Sequence, residues 1–154
     1  MKRYRVLLIS LFLLLLATGL YGESDDQPKW STTIFGAFAL SNDIYFGIGG
    51  TIGYSFISRL ELEVEVYSIF WEYKRHGLSG AVLYNFDGDK NKTVYYVLGG
   101  FSQLRGEWDI DNYLMFGGGI KKYIAKRLKI RFDIRINMAE NVWTKFYTGL
   151  MWSF

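Results

Sequence analysis

The side chains of this chain that could do chemistry are concentrated in two segments of strictly alternating sequence. Residues 60–66 read Leu-Glu-Leu-Glu-Val-Glu-Val, and residues 128–138 alternate apolar with mostly charged positions over eleven residues. In a β-strand this period of two puts all the charges of a segment on one face, whereas a helix would scatter them. The candidate residues on these faces and on the neighbouring strands are Glu61, Glu63, Glu65, Lys121, Lys129, Arg131, Asp133, Arg135 and Lys145.

A row of carboxylates has several possible uses. It could bind a metal ion, act as a general acid and base, or line a polar passage. Buried charges of one sign are costly, however, and the basic row on the other segment could neutralise them. The pattern favours mutual ion pairing, and we expect no metal and no cofactor.

His76 is the only histidine and the only candidate general base of its type. Ser79 follows at an odd offset, so the two side chains are expected on opposite faces of a strand and cannot cooperate there. The polar tripeptide Lys74-Arg75-His76 is predicted to lie in a connection between strands, where it is either an ordinary hydrophilic tip or a contact for lipopolysaccharide phosphates. The sequence thus predicts no enzymatic activity.

Composition excludes further chemistries. The 154 residues contain no cysteine, which rules out disulfides, thiolate metal sites and cysteine nucleophiles. The glycine runs at 47–50 and 117–119 neither precede a helix nor carry the lysine of a phosphate-binding loop. Residues 105–112 have acidic groups at alternate positions, but their glycine and glutamate do not stand at the positions that a calcium loop requires.

The first 22 residues have the features of a cleaved secretory signal peptide. A basic start, Lys2-Arg3-Tyr4-Arg5, precedes an apolar run at 6–16 that is too short to span a bilayer. Cleavage is expected after Gly22 or Gly19, with an uncleaved anchor as the alternative, and residues 23–29 form a short segment before the main domain. Removing the signal leaves 15 basic and 15 acidic residues, so the net charge of +3 belongs to the precursor. We therefore expect no nucleic-acid partner.

Residues 30–154 are predicted to form a single all-β domain. Only one proline occurs in the chain, which suits a chain made mostly of paired strands. Short polar breaks separate the strands and imply an eight-stranded antiparallel up-and-down barrel, because an even number of strands can close and remove the sheet edges. The predicted strands are 30–40, 45–55, 60–71, 77–86, 93–104, 113–124, 128–138 and 143–154.

Such a barrel could be soluble, with its apolar face inward, or transmembrane, with that face toward lipid. Small residues dominate the polar face of several strands, as in a crowded lumen, and aromatic residues gather at strand ends as in interfacial girdles. We therefore predict a transmembrane β-barrel. The predicted girdle residues are Trp30, Tyr45, Trp71, Tyr73, Tyr84, Tyr113, Tyr123, Trp143 and Trp152.

The C-terminal segment 146–154 resembles the terminal strand of bacterial outer-membrane barrels. The glycine-rich segments at 96–100 and 116–123, followed by the alternating basic segment at 128–135, resemble the small outer-membrane β-barrel domain family, which includes barrels like outer-membrane proteins A and X. This resemblance implies location in the cell outer membrane, contact with outer-membrane lipid and lipopolysaccharide, and recognition by the barrel-assembly machinery. The residues assigned to that assembly signal are Tyr147, Leu150, Trp152 and Phe154.

In a ring of eight, the third and seventh strands are diametrically opposite, so their charged faces should meet across the lumen. The interior of such a barrel is only wide enough for side chains to fill it. We therefore expect an ion-paired plug and a structural or surface-interaction role. The alternatives are a narrow porin-like channel and a lipid A-modifying enzyme at the outer rim; the oligomeric state is not predicted.

Overall fold

The computed structural model describes most of residues 30–154. The described ranges are 30–57, 59–70, 74–86, 93–107 and 109–154. The predicted signal peptide, the segment 23–29, and the predicted girdle residues Trp71 and Tyr73 therefore lie outside the described residues. No helix in these ranges is long and apolar enough to cross a membrane.

Eight antiparallel strands form a closed barrel in which each strand pairs with the next and the last pairs with the first. The predicted all-β, eight-stranded up-and-down fold is confirmed. The strands are β1 (Trp30–Leu40), β2 (Ile44–Ile57), β3 (Leu60–Phe70), β4 (Lys74–Asn85), β5 (Thr93–Arg105), β6 (Ile110–Tyr123), β7 (Leu128–Met138) and β8 (Val142–Ser153).

Two strands begin three residues earlier than the sequence indicates. β4 begins at Lys74, so the tripeptide predicted to lie in a connection is strand, and β6 begins at Ile110. The reason is cross-strand pairing: His76 lies opposite both Ser68 on β3 and Arg105 on β5. Hydrophilic residues were mistaken for a loop because their ladder partners are distant in sequence.

The register fixes the stagger of the barrel. The stagger can be read by following paired residues from strand to strand around the ring. From Ile34 on β1, the path through β2, β3, β4 and β5 reaches Asn112 on β6. The path in the other direction, through β8 and β7, reaches Lys122 on β6. Both end points lie on β6, ten residues apart. A stagger of this size tilts the strands against the barrel axis and leaves an interior that side chains can fill.

The outward-facing positions of the barrel are mostly apolar, whereas the inward-facing positions carry both charged and apolar side chains. Outward-facing apolar side chains are largely exposed, as shown by Ile34 at 69% and Phe101 at 65%. Inward-facing positions are buried even where they carry charge. An apolar outer band of this kind is what barrels present to lipid hydrocarbon.

Among the described residues, the predicted girdle residues that project outward lie at one end of the barrel. Trp30, Tyr84 and Trp152 project outward near the end where the first and last described residues, Trp30 and Phe154, are hydrogen-bonded to each other. This end is called the termini end, and the opposite one, at the connections 41–43 and 139–141, the far end. Tyr123 also lies near the termini end, but it occupies one of the inward-facing positions of β6.

Three of the predicted girdle residues are instead inside the lumen. Tyr113 and Trp143 are buried, with ring centroids 5.8 Å apart in an edge-to-face contact, and Tyr45 is partly buried against them. The girdle prediction is wrong for these three because a strand end holds inward and outward positions alike. Only the parity of a residue along its strand decides which side it takes.

Candidate functional site in the lumen and on the outer wall

The lumen holds a buried set of opposite charges. Eight of the nine charged residues predicted for the interior are at most 3% exposed and lie in ion pairs with one another. We call this set the lumen network, and its members are Glu61, Glu63, Glu65, Lys121, Arg131, Asp133, Arg135 and Lys145. Four carboxylates and four cations give it a formal charge of zero.

The centre of the network joins β3 to β7 across the full width of the lumen. Arg135 Nη1 donates to Glu65 Oε2 at 2.6 Å, and its Nη2 donates to Glu63 Oε1 at 2.7 Å. Arg131 forms a second ion pair with Glu63. Because β3 and β7 are four strands apart in a ring of eight, these contacts run across the lumen from one wall to the opposite one.

Asp133 lies between the two guanidinium groups and separates their charges. Its carboxylate accepts from Arg131 at 3.0 Å and from Arg135 at 2.8 Å, and the Tyr96 hydroxyl donates to it at 2.5 Å. Arg131 Nε in turn donates to the Tyr96 oxygen at 2.7 Å. A carboxylate on the basic strand thus makes the arginine pair compatible with burial.

Lysines extend the network toward both ends. Lys121 Nζ donates to Glu61 at 2.6 Å and to the Asn85 amide oxygen at 3.0 Å near the termini end. Toward the far end, Lys145 pairs with Glu65, and its Nζ lies 4.0 Å from the centre of the Tyr67 ring. Each buried charge therefore has both a counter-charge and a further contact.

Three tyrosines that the sequence analysis did not assign to the lumen support these charges. Arg135 donates to the Tyr147 oxygen at 2.8 Å, and the Arg131 guanidinium lies 4.9 Å from the centre of the Tyr96 ring. The Tyr67 hydroxyl bonds Ser102 at 2.9 Å. Tyr67 and Tyr147 lie two residues from Glu65 and Lys145, so the parity that identified the charges also identifies these rings.

Glycine makes room for two of the rings, because Gly77 is paired with Tyr67 and Gly119 with Tyr96 across neighbouring strands. A Cβ on Gly77 would overlap the ring of Tyr67, and a Cβ on Gly119 would lie 2.7 Å from both the Tyr96 hydroxyl and the Asp133 carboxylate. Any larger side chain at these positions would displace groups that contact the network.

Lys129 is the one predicted member that the structure places elsewhere. It is half-buried, and its Nζ lies 4.6 Å from the centre of the Tyr123 ring. None of the ion pairs among the described residues includes it. Lys129 is the second residue of β7, close to the termini end, and this position puts it beyond the carboxylates that pair with Arg131 and Arg135.

Above the network, apolar and aromatic residues fill the lumen at the far end. Phe35 stacks on Tyr147 with ring centroids 4.4 Å apart, which links this layer to the arginines below it. At the rim, Arg75 donates to Asp109 at 2.9 Å and to Asp111 at 3.2 Å. We call the layer the far-end cluster; it consists of Phe35, Ala39, Tyr67, Ile69, Leu104, Tyr113, Trp143 and Tyr147.

The residues assigned to the assembly signal do not share one face. Leu150, Trp152 and Phe154 point outward and are 49–56% exposed, whereas Tyr147 is 3% exposed and belongs to the lumen. The offset from Tyr147 to the other three is odd, so a strand cannot present all four together. The outward row on β8 continues instead through Thr148 and Phe146.

The outer wall carries a polar patch on β3 to β6 near the far end. Ser68 Oγ and His76 Nδ1 are 2.9 Å apart, and Gln103 donates to the Asn112 amide oxygen at 3.0 Å. His76 and Ser79 lie on opposite faces, with Ser79 buried, as the odd offset predicts. The serine next to His76 is on the neighbouring strand, a contact that the spacing of residues along one strand cannot indicate.

Comparison with known sequences finds no matching family model and no matching curated protein. Known structures do match the fold. The N-terminal β-barrel domain of Pseudomonas aeruginosa OprF aligns with 83% of this chain and 98% of its own, at 17% identity and a TM-score of 0.71.

Two further outer-membrane barrels are similar. Neisserial surface protein A matches at 16% identity with a TM-score of 0.64, covering 81% of this chain and 96% of its own. OprG from Pseudomonas aeruginosa matches at 9% identity with a TM-score of 0.62, covering 83% and 97%. Together with the closed register and the apolar outer band, these similarities show that this chain has the eight-stranded outer-membrane β-barrel fold.

Proposed function

We propose that this chain is an outer-membrane protein with a structural or surface-interaction role, whose barrel is closed to diffusion. The observation that carries the proposal is the neutral lumen network, which joins β3 to β7 under the far-end cluster. Charged side chains that line an open passage remain hydrated. The charged side chains of the lumen network are at most 3% exposed, and each forms an ion pair with another member of the network.

The outer surface supports the membrane location. Removing apolar surface from water is favourable by about 25 cal/mol per Å², and side chains such as Phe46 and Phe101 are more than 60% exposed on the barrel wall. A soluble protein rarely leaves so continuous an apolar band in water. We further propose that residues 1–22 are removed on export and that the outward row Leu150, Trp152 and Phe154 contacts the barrel-assembly machinery.

Two measurements test this proposal. Envelope fractionation should recover the protein with outer-membrane lipid, and its gel mobility should change on boiling, as expected for a stable barrel. In planar bilayers the folded protein should give no steady single-channel current. Recovery in the soluble periplasm would refute the membrane location, while steady currents that rise in Glu63→Ala or Arg131→Ala would favour the narrow channel.

One observation favours a second candidate function, hydrolysis of a lipid ester at the outer rim. Ser68 and His76 are within hydrogen-bond distance on the outer wall, and such a pair can activate a serine as a nucleophile. No carboxylate among the described residues lies within ion-pair distance of His76, so the orienting group of a triad is absent from that part of the chain. Lipid analysis by mass spectrometry tests it: altered acylation that disappears in both Ser68→Ala and His76→Ala would establish the enzyme.

A further inference from the structure

We propose that the outer wall of β3 to β6 binds an acyl lipid that carries a phosphomonoester, with the phosphate held by Lys74, His76 and Arg105 and one acyl chain in the groove below them. The inference rests on the proposed membrane location and names a partner for this surface. It is carried by the juxtaposition of three basic side chains with an apolar groove.

The three basic residues form one patch on the wall. Lys74 and His76 are two residues apart on β4 and therefore share its outer face, and Arg105 is paired with His76 across the β4–β5 ladder. All three side chains are exposed. Among the described residues, no ion pair occupies any of them.

The acidic groups of the same rim are directed elsewhere. Asp109 and Asp111 both accept from Arg75, whose odd position on β4 turns it away from the face that carries Lys74 and His76. The sequence alone groups Arg75 with its two neighbours, either as a hydrophilic tip or as a lipopolysaccharide contact. The structure separates them: Arg75 holds the rim carboxylates, and Arg105 takes its place in the outward patch.

Directly below the patch lies a groove of about 630 Å³. Its floor is Gly80, where no heavy atom lies within 4 Å of the position a Cβ would occupy. Two of the outward-facing side chains that line the groove, Gln103 and Asn112, are polar, and they lie on the side nearest the basic patch. The others are apolar: Val64, Leu78, Phe101 and Leu114.

The order of these groups along the strands matches the order of groups in a phosphorylated lipid. On β4 the outward positions run from Lys74 and His76 through Leu78 to Gly80, that is, from charge to hydrocarbon. A phosphomonoester carries a charge of about −1.5 to −2 at neutral pH and offers three strong acceptors. Two permanent cations and a histidine suit this group better than the single charge of a phosphodiester lipid.

The opposite wall shows what the barrel looks like without such a site. Gly36 on β1 also has no heavy atom within 4 Å of its Cβ position, but the outward residues above it, Phe38 and Leu40, are apolar to the strand end. The basic patch is thus confined to the side of the barrel that has the groove.

The test uses the full barrel refolded in mild detergent and analysed by native mass spectrometry with three probes: lipid A, phosphatidylglycerol and phosphatidylcholine. We expect retention of lipid A at least tenfold above that of phosphatidylglycerol, and no retention of phosphatidylcholine. Equal retention of lipid A and phosphatidylglycerol would overturn the phosphomonoester assignment, and failure to retain either would overturn the site.

Variants locate the binding. Lys74→Gln with Arg105→Gln should reduce lipid A retention at least tenfold, and Gly80→Leu should do so by filling the groove. The matched controls are Lys122→Gln, an outward lysine near the termini end, and Gly36→Leu; both should retain lipid A as the unmodified protein does. Equal losses in control and test variants would refute the proposal. Heat-modifiable gel migration, measured on every variant, verifies that each is folded, so loss of lipid binding in a folded barrel leaves the proposed closed-barrel function standing.

Discussion

Replacing Arg135 by methionine should be among the most damaging single changes to this barrel. Its guanidinium contacts Glu63, Glu65, Asp133 and the Tyr147 hydroxyl, with all four distances between 2.6 and 2.8 Å. Methionine fills much of the same space but leaves the lumen network with one uncompensated negative charge. Removing one partner of a buried ion pair typically destabilises by about 3–5 kcal/mol.

Each carboxylate keeps one cation in this variant, and the remaining contacts decide the size of the effect. Glu63 and Asp133 still contact Arg131, and Glu65 still contacts Lys145. The loss should therefore lie within that range and not exceed it. Restoring neutrality with a second change, Asp133→Asn, should recover about 0.5–3 kcal/mol, the usual coupling between residues in contact, because Arg131 is then left to Glu63 alone.

The assay is reversible urea unfolding of the barrel in lipid vesicles, followed by tryptophan fluorescence. Lys122→Met removes an outward lysine and serves as the control, with an expected change within about 0.5 kcal/mol. If Arg135→Met behaves like this control, or if the added Asp133→Asn lowers stability further, the lumen network is not a coupled unit and the reasoning is refuted.

Three further outcomes follow from the packing. Gly77→Val should prevent folding, seen as loss of heat-modifiable migration, because its Cβ overlaps the Tyr67 ring, whereas Gly36→Val should fold normally. Trp143→Ala should lower the free energy of unfolding by about 3–5 kcal/mol, as for other buried aromatic truncations, yet remain non-conducting because the lumen network lies below it. Lys129→Met should change stability by less than about 0.5 kcal/mol, and a larger loss would mean that Lys129 does pair with the carboxylates.

The sequence predicted β3 and β7 well because each alternates charge with hydrocarbon without interruption. On such strands the alternation shows which residues face inward. Because the two strands lie opposite each other in a ring of eight, the inward carboxylates of β3 meet the inward arginines of β7. β8 is harder to interpret, since Val142, Trp143 and Phe146 place apolar residues on both of its faces. The lysine at 145 nevertheless marks the inward parity, and it assigns Trp143 to the lumen.

Strand ends and cross-strand contacts were less accessible to prediction. The start of β4 is polar, and only its pairing with β3 and β5 shows that Lys74 and His76 belong to the sheet. The contact between Ser68 and His76 depends on register, which the sequence does not specify at a polar strand end. For the same reason Arg105 could not be grouped with Lys74 before the ladder was known.

The interior and exterior charges of this barrel should affect different properties. The lumen network is neutral as a set and inaccessible, so it contributes to cohesion and cannot attract a partner. The basic patch faces outward at one rim and contributes no ion pair among the described residues, so it has little to do with cohesion. Substitutions in the network should change unfolding without changing which lipid is retained, and substitutions in the patch should do the reverse. A variant of either class that moved both measurements would show that the lumen network and the outer wall are coupled. Their separation argues against this, because the network faces inward on β3, β6, β7 and β8 and the basic patch faces outward on β4 and β5.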